Sequence, residues 1–333
     1  MYETHREDTA YLQNLIDSAD TAVIPAVNPL TGDDLWIIEK PLILTSGKTV
    51  IVDGAHLRLA DGVYANIFAT EPPLGKPMAE ADMLHDIHIL GQNGALLDGG
   101  EHNGLTEKTA NKDGRPHVLN NTFVYFRGVR GFSVKNLNII KPRYWGLTFV
   151  CCSEGVISDI DFEAANDAPN QDGIDLRLGC HHITIERITG STGDDTVALT
   201  GLYSISGQVQ LLDGASPDIH DVIIRDISAY VTGGHGIIRL LCHDGVQLYN
   251  VKIENVYDRS IDCDGVRCQA AIRIGDPNYS SVRRALPEEM HDFTVSNVTT
   301  NAAIAVKLFG APKNFVMQNV RTTDPAGIQL LTI

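Results

Sequence analysis

The spacing of apolar residues changes once along the chain. Near the start, Leu12, Leu15 and Ile16 fall on one face of a helical wheel, and Asp8 or Thr9 stands where an N-cap would. This predicts a short N-terminal helix. From Val50 onward, short runs alternate apolar and polar residues between Gly, Asn and Asp, which is the pattern of strands. Helical spacing is scarce after that point.

A six-residue unit recurs within the strand region, reading apolar-x-apolar-x-(Asn, Asp or Arg)-apolar. It occupies residues 132–137, 183–188, 222–227, 251–256, 293–298 and 315–320, with 155–160 as an imperfect member. Successive starts lie 23, 28, 39, 29, 42 and 22 residues apart. The short intervals fit one coil of a β-solenoid; the long ones fit a coil with a loop, or nearly two coils. Alternate side chains of each unit face inward, so stacking buries Val134, Ile185, Ile224, Ile253, Val295 and Met317 in one column. The Asn or Asp before the last apolar residue suits a bend, because its side chain bonds nearby backbone and tolerates unusual dihedrals. Stacked Asn residues can also bond into ladders. The expected fold is all-β, a single-stranded right-handed parallel β-helix (β-solenoid) with a short N-terminal capping helix. A β-sandwich competes, but uneven spacing around one recurrent corner favours the solenoid. No Pro/Ser-rich linker divides the chain, so residues 1–333 read as one domain: about 1–20 the cap, about 21–333 the coils.

Composition narrows the function. Of 333 residues 43% are hydrophobic, ample for a continuous core. The chain has 26 basic against 42 acidic residues, a net of −16, and no basic run, which argues against a nucleic-acid partner. No apolar run approaches the roughly 20 residues that span a bilayer, so no membrane partner is expected either. The opening lacks the basic start and apolar core of a secretory signal, which points to the cytoplasm, with secretion left open if a leader was removed. Cys151, Cys152, Cys180, Cys242, Cys263 and Cys268 form no CxxC, and several lie in apolar runs, as reduced thiols do. His181 and His182 beside Cys180 lack a matching second ligand pair, so neither a metal nor a cofactor is expected.

Three polar clusters fall at similar phase in successive coils. They are Asn170-Gln171-Asp172-Gly173-Ile174-Asp175, Gly193-Asp194-Asp195 and Gly233-Gly234-His235-Gly236. Each alone reads as ordinary turn chemistry. In this order they supply what glycosidic hydrolysis needs: one carboxylic acid for the leaving oxygen and a carboxylate that activates water or attacks. Crowded carboxylates separate their pKa values, leaving one protonated near neutrality. His235 adds a proton donor or an electrostatic tuner, and Gly234 and Gly236 let a sugar approach the backbone closely. Neighbouring strand residues point to opposite sides. Asp194 and Asp195 therefore share a cleft only across a bend, which Gly193 permits.

These motifs, followed by Arg273-Ile274-Gly275, resemble family 28 of the glycoside hydrolases, the polygalacturonase family. That family carries an Asn-x-Asp, an Asp-Asp, a Gly-His-Gly and an Arg-Ile-Lys motif in this order. Ile24-Pro25, residues 90–94 and 97–100 extend the resemblance to roughly residues 20 to 330. The resemblance implies an inverting hydrolase acting on an oligo- or polysaccharide, pectin-related or another plant or microbial glycan. It makes Asp194 the general acid, Asp172 with Asp195 the pair that activates water, and His235 a support for the acid. Substrate contacts would come from Asn170, Gly234, Gly236 and Arg273. Two departures stand out. Gly275 replaces the family's uronate-binding lysine and precedes Asp276, which favours a neutral or modified sugar. The stretch from Tyr203 to Asp218 lengthens the interval between Asp195 and His235, which would wall off one end of the cleft and favour exo action. The competing readings are a polysaccharide lyase or epimerase on the same solenoid, or a non-catalytic glycan-binding β-helix. Monomer and homo-oligomer both stay open.

Overall fold

The repeating units stack as the sequence pattern requires. A computed structural model describes residues 2–70, 78–101, 121–202, 211–243, 245–263, 266–275 and 285–333. The fold is a right-handed parallel β-helix with one N-terminal α-helix. Among the described residues its strands form two parallel sheets, one of thirteen and one of ten strands. Each coil from Val129 onward contributes a long strand of ten to thirteen residues to the first sheet and a short one of four or five to the second.

The inward column is continuous. Val134, Ile157, Ile185, Ile224, Ile253, Val295 and Met317 are in register from coil to coil. All but Met317 are fully buried. Burying such a side chain is worth about 1.5–3 kcal/mol, and the column repeats that gain at every step. Met317, on the last of these long strands, is only partly buried.

The recurrent corner takes the expected form. Asn136, Asp159, Arg187, Asp226, Asn255, Asn297 and Asn319 all have φ between 50° and 58°. Their flanking residues pair with the next coil while the corner residue is skipped, as in Lys135↔Ser158 and Leu137↔Ile160. Left-handed backbone is costly for most residues and least so for Gly, Asn and Asp. A ladder holds these corners together. Asn255 Nδ2 donates to Asp226 Oδ1 (2.8 Å), Asn297 to Asn255 Oδ1 (3.0 Å) and Asn319 to Asn297 Oδ1 (2.8 Å). At Arg187 the guanidinium takes this part, bonding Asp159 at 2.6 and 2.9 Å.

A second corner column, which the sequence pattern did not reveal, lies near the start of the long strands. It consists of Asp86, Glu154, His182, Asp221, Asn250, Asp292 and Asn314, with φ between 51° and 58°.

The helix spans Asp8–Asp17 and buries Leu12 and Ile16 against the first coil. Its N-cap is Glu7, which makes no side-chain cap bond. Asp8 instead lies in the first turn and is buried, where Oδ2 accepts the Ile37 N–H (2.8 Å) and lies 2.7 Å from His5 Nδ1. Thr9 Oγ1 accepts the Glu39 N–H. Both expected caps thus tie the helix to the first coil. Strands begin at Thr21, earlier than the alternation suggests. The intervals of 39 and 42 residues each prove to be one coil.

Candidate active site

In three consecutive coils the chain leaves the long-strand sheet for the short-strand sheet through a polar turn. These turns lie between Glu163 and Ile174, Thr192 and Val197, and Val231 and Ile238. They hold Asp172, the Asp194–Asp195 pair and His235, so the residues expected to converge do so. One carboxylate oxygen from each of Asp172, Asp194 and Asp195 lies within 4.8 Å of the others. His235 Nδ1 lies 3.0 Å from Asp194 Oδ1. Two of the three are sequence neighbours, and the third is one coil away, about 4.8 Å.

Local backbone bonds fix the turn. The N–H groups of Gly193 and Asp194 both donate to Gln171 O, at 2.9 and 3.2 Å. Thr192 Oγ1 donates to Asp194 O (2.7 Å), and the Asp195 N–H donates to Asp194 Oδ1 (2.9 Å). Gly193 is required for space: a Cβ there would sit 2.8 Å from Gln171 Cβ. Gly233 is tighter still, since its Cβ would fall 2.2 Å from Gly193 O. Gly236 donates its N–H to Asp195 Oδ1 (3.1 Å), and Arg273 Cδ passes 3.3 Å from where its Cβ would be. Gly234 has a left-handed φ of 76°. Asn170, also left-handed, donates to the Tyr144 hydroxyl at 3.4 Å.

Burial dominates the electrostatics. Asp195 is wholly inaccessible and Asp172 nearly so, whereas the His235 side chain is 45% exposed at the mouth. Burial pushes Asp172 well above the usual carboxylate range, and Asp194, Asp175 and Asp195 push it further, against Arg239. Burial raises Asp195 to about 6, again opposed by Arg239.

Arg177 and Arg239 were missed in the sequence, and Asp175 closed the first cluster without a part of its own. Asp175 is buried beside the cluster, and burial pushes it up to about 8 against the pull of Arg177 and Arg239. Arg239 Nε lies 3.0 Å from Asp195 Oδ2. Arg177 is buried with its guanidinium 4.5 Å from the centre of the Trp145 ring. The signal was present: Ile174-Asp175-Leu176-Arg177 and Ile238-Arg239-Leu240 alternate, which sends their charges to the outer face. Register aligns Asp175, Ala198, Arg239, Arg273 and Lys307 in one row across five coils.

The two departures have structural counterparts. Gly275 has φ 77°, and a Cβ there would lie 2.8 Å from Phe309 O, so no lysine fits. Lys307, next to Arg273 in the row, supplies a neighbouring cation instead. Asp276 and residues 203–210 lie outside the described residues. The oxygens of Asp172, Asp194 and Asp195 could also take a hard divalent cation, in competition with Arg239 on Asp195 and His235 on Asp194.

Known proteins place this geometry in context. Residues 75–214, which include Asp172, Asp194 and Asp195, match the model of glycosyl hydrolases family 28. A polygalacturonase from Juniperus ashei is 34% identical over 105 residues, 31% of this chain and 19% of that protein's length. The chain therefore spans about a fifth of this curated relative. Among solved structures, the endo-xylogalacturonan hydrolase of Aspergillus tubingensis superposes with a TM-score of 0.59 at 15% identity, covering 99% of this chain and 92% of the other. An exopolygalacturonase from Thermotoga maritima gives 0.57 at 16% identity, covering 98% and 86%. At such identities the likeness shows the fold.

Proposed function

We propose that this protein is a family 28 glycoside hydrolase that cleaves a glycosidic bond in an oligo- or polysaccharide with inversion. The observation that carries this reading is the meeting of Asp172, Asp194 and Asp195 within 4.8 Å, with His235 against Asp194. Asp194 is the general acid. It is the most accessible of the three carboxyls, and His235 at the mouth places Nδ1 3.0 Å from its Oδ1. Asp172 and Asp195 hold the attacking water, since one water making two hydrogen bonds of about 2.8 Å, its O–H donating to Asp195, spans two oxygens at this separation. Arg239 favours the ionised form of Asp195, which makes Asp195 the base that takes the water's proton. Arg273 and Lys307, in register on neighbouring coils, favour a sugar that carries a carboxylate. Gly275 and Asp276 favour a neutral or modified sugar; Lys307 on the following coil, beside Arg273, is the cation that can stand in for the lost lysine and weighs for the acidic one. The same reading takes residues 1–333 as one domain.

The test measures reducing-end release from polygalacturonate, oligogalacturonides and neutral oligosaccharides, with proton NMR following the first anomer formed. Release of the inverted anomer from acidic substrates, lost in Asp194→Asn by about 100- to 10,000-fold, is the expected result. Ultraviolet-absorbing unsaturated products would indicate a lyase. Full turnover in a folded Asp194→Asn variant would remove the acid assignment.

A further inference from the structure

The second corner column carries chemistry of its own, at the opposite end of the strand His181–Thr192 from the acidic turn. Five of its seven members are Asn or Asp, but the coil at 182 has histidine. Its neighbour one residue earlier, His181, is in register with His220, Tyr249 and His291, and these four rings stack at 4.8–4.9 Å. The two columns are adjacent, so His182 reaches across one coil toward the His220–Asp221 pair.

We propose that His182, His220 and Asp221 form a binding site for a divalent transition-metal ion of the zinc class. Ligating atoms of the three lie within 4.8 Å of one another. Asp221 Oδ2 is the hub: His220 Nδ1 lies 2.7 Å from it and His182 Nε2 3.4 Å. Zinc bonds to nitrogen and carboxylate oxygen are about 2.0–2.2 Å, which sets neighbouring ligand atoms roughly 3–3.5 Å apart. The His182–Asp221 separation already fits, and the His220–Asp221 pair opens slightly when an ion replaces the shared proton.

Two outer contacts prepare the ligands. Asn250 Nδ2 donates to the other carboxylate oxygen, Asp221 Oδ1, leaving Oδ2 for an ion. His181 Nδ1 lies 2.8 Å from His182 Nδ1, so a proton held there leaves Nε2 with its lone pair toward Asp221. Two imidazoles and one carboxylate select zinc, nickel, cobalt or copper over magnesium or calcium. Lys252 lines the same groove and is the one cation set against the ion there. The ion would clasp the coils of residues 181 and 220 together. The second ligand pair missing next to His181-His182 in the sequence is supplied here by the following coil.

The comparison is built into the fold. His291 and Asp292 repeat the His220–Asp221 pair at the same register, with Nδ1 2.6 Å from Oδ2, but Tyr249 and Asn250 stand where a third ligand would come from. Zinc chloride is titrated calorimetrically into the full chain after EDTA treatment and dialysis. One equivalent should bind and raise the melting temperature. His291→Ala should bind as wild type does, while His182→Ala and Asp221→Asn should each weaken binding by ~10-fold or more. Magnesium should give no shift at equal concentration. His182 is well exposed, so its variant tests the site even if Asp221→Asn misfolds. Absence of saturable zinc binding, or binding that survives His182→Ala, overturns the proposal. So does binding that disappears in Asp194→Asn, which would put the metal in the acidic turn.

Discussion

Asp175 offers a test of how the cleft holds its charges. Its carboxyl is buried, and among the described residues Oδ2 has no hydrogen-bond partner, nor have Nε and Nη2 of the nearby Arg177. Burial pushes Asp175 from its ordinary 3.8 to about 8, more than Arg177 and Arg239 pull it down. The folded chain therefore keeps a proton that the unfolded chain releases from about pH 4 upward. Because the folded state binds more protons across that window, this group's contribution to stability falls as pH rises from about 4 through 8. For a carboxyl displaced this far, the loss between about pH 5 and pH 7.5 comes to about 3 kcal/mol. Asp175→Asn removes the titration while keeping the side chain's shape. Urea unfolding followed by circular dichroism at both pH values gives four free energies. The variant should gain about 3 kcal/mol on wild type in going from the lower pH to the higher. Taking the difference between two pH values cancels whatever the amide does to Arg177 at constant charge. If the two proteins change stability in parallel, Asp175 is ionised throughout and paired with Arg177, and the reasoning fails.

Three further outcomes follow from the fold and the cleft. Asn297→Ala should lose about 1–2 kcal/mol in denaturant unfolding, because alanine must hold the left-handed corner without its ladder bonds; Asn297→Gly should lose less. Gly233→Ala should cost both stability and turnover, since the new Cβ would meet Gly193 O at 2.2 Å and displace the turn carrying Asp194; a variant with wild-type melting temperature and kcat would contradict this. Lys307→Met should raise KM on acidic oligosaccharides severalfold with little change on neutral ones, as initial rates on the two classes would show.

The corner motif was legible because its cause is local. A residue that must adopt positive φ beside an apolar pair leaves the same trace in every coil, and all seven such residues, Asn136 through Asn319, carry it in the structure. The second corner escaped notice because its occupants include Glu154 and His182, which break the Asn/Asp signature even though Ile183, Val222, Val251 and Phe293 follow their corners as apolar residues. The acidic cluster was legible as an order of motifs, since the turns that hold it follow one another along the chain. Arg239 was not, and Asp175 stood in the first cluster without a part, although their alternation was visible. Their importance comes from register: Arg239 matters because it stands two strands from Asp175 in one row and 3.0 Å from Asp195, and the chain separates those residues by loops of unequal length. Asp8 shows the same limit. Its place near a helix start suggested a cap, whereas its partner, the Ile37 N–H, comes from a later strand.

The row from Asp175 to Lys307 makes the cleft floor a graduated scale. Each coil adds one mark, and neighbouring marks are separated by the interstrand spacing of about 4.8 Å. Asp172, Asp194 and His235, the residues proposed to react, occupy the turns beside the marks at Asp175, Ala198 and Arg239, and Arg273 and Lys307 are the next two along. A change at Lys307 thus alters what is read three steps from Ala198 without moving the turn that carries Asp194. Preference for a sugar's substituents and the position of bond cleavage can then vary independently, one inherited substitution at a time.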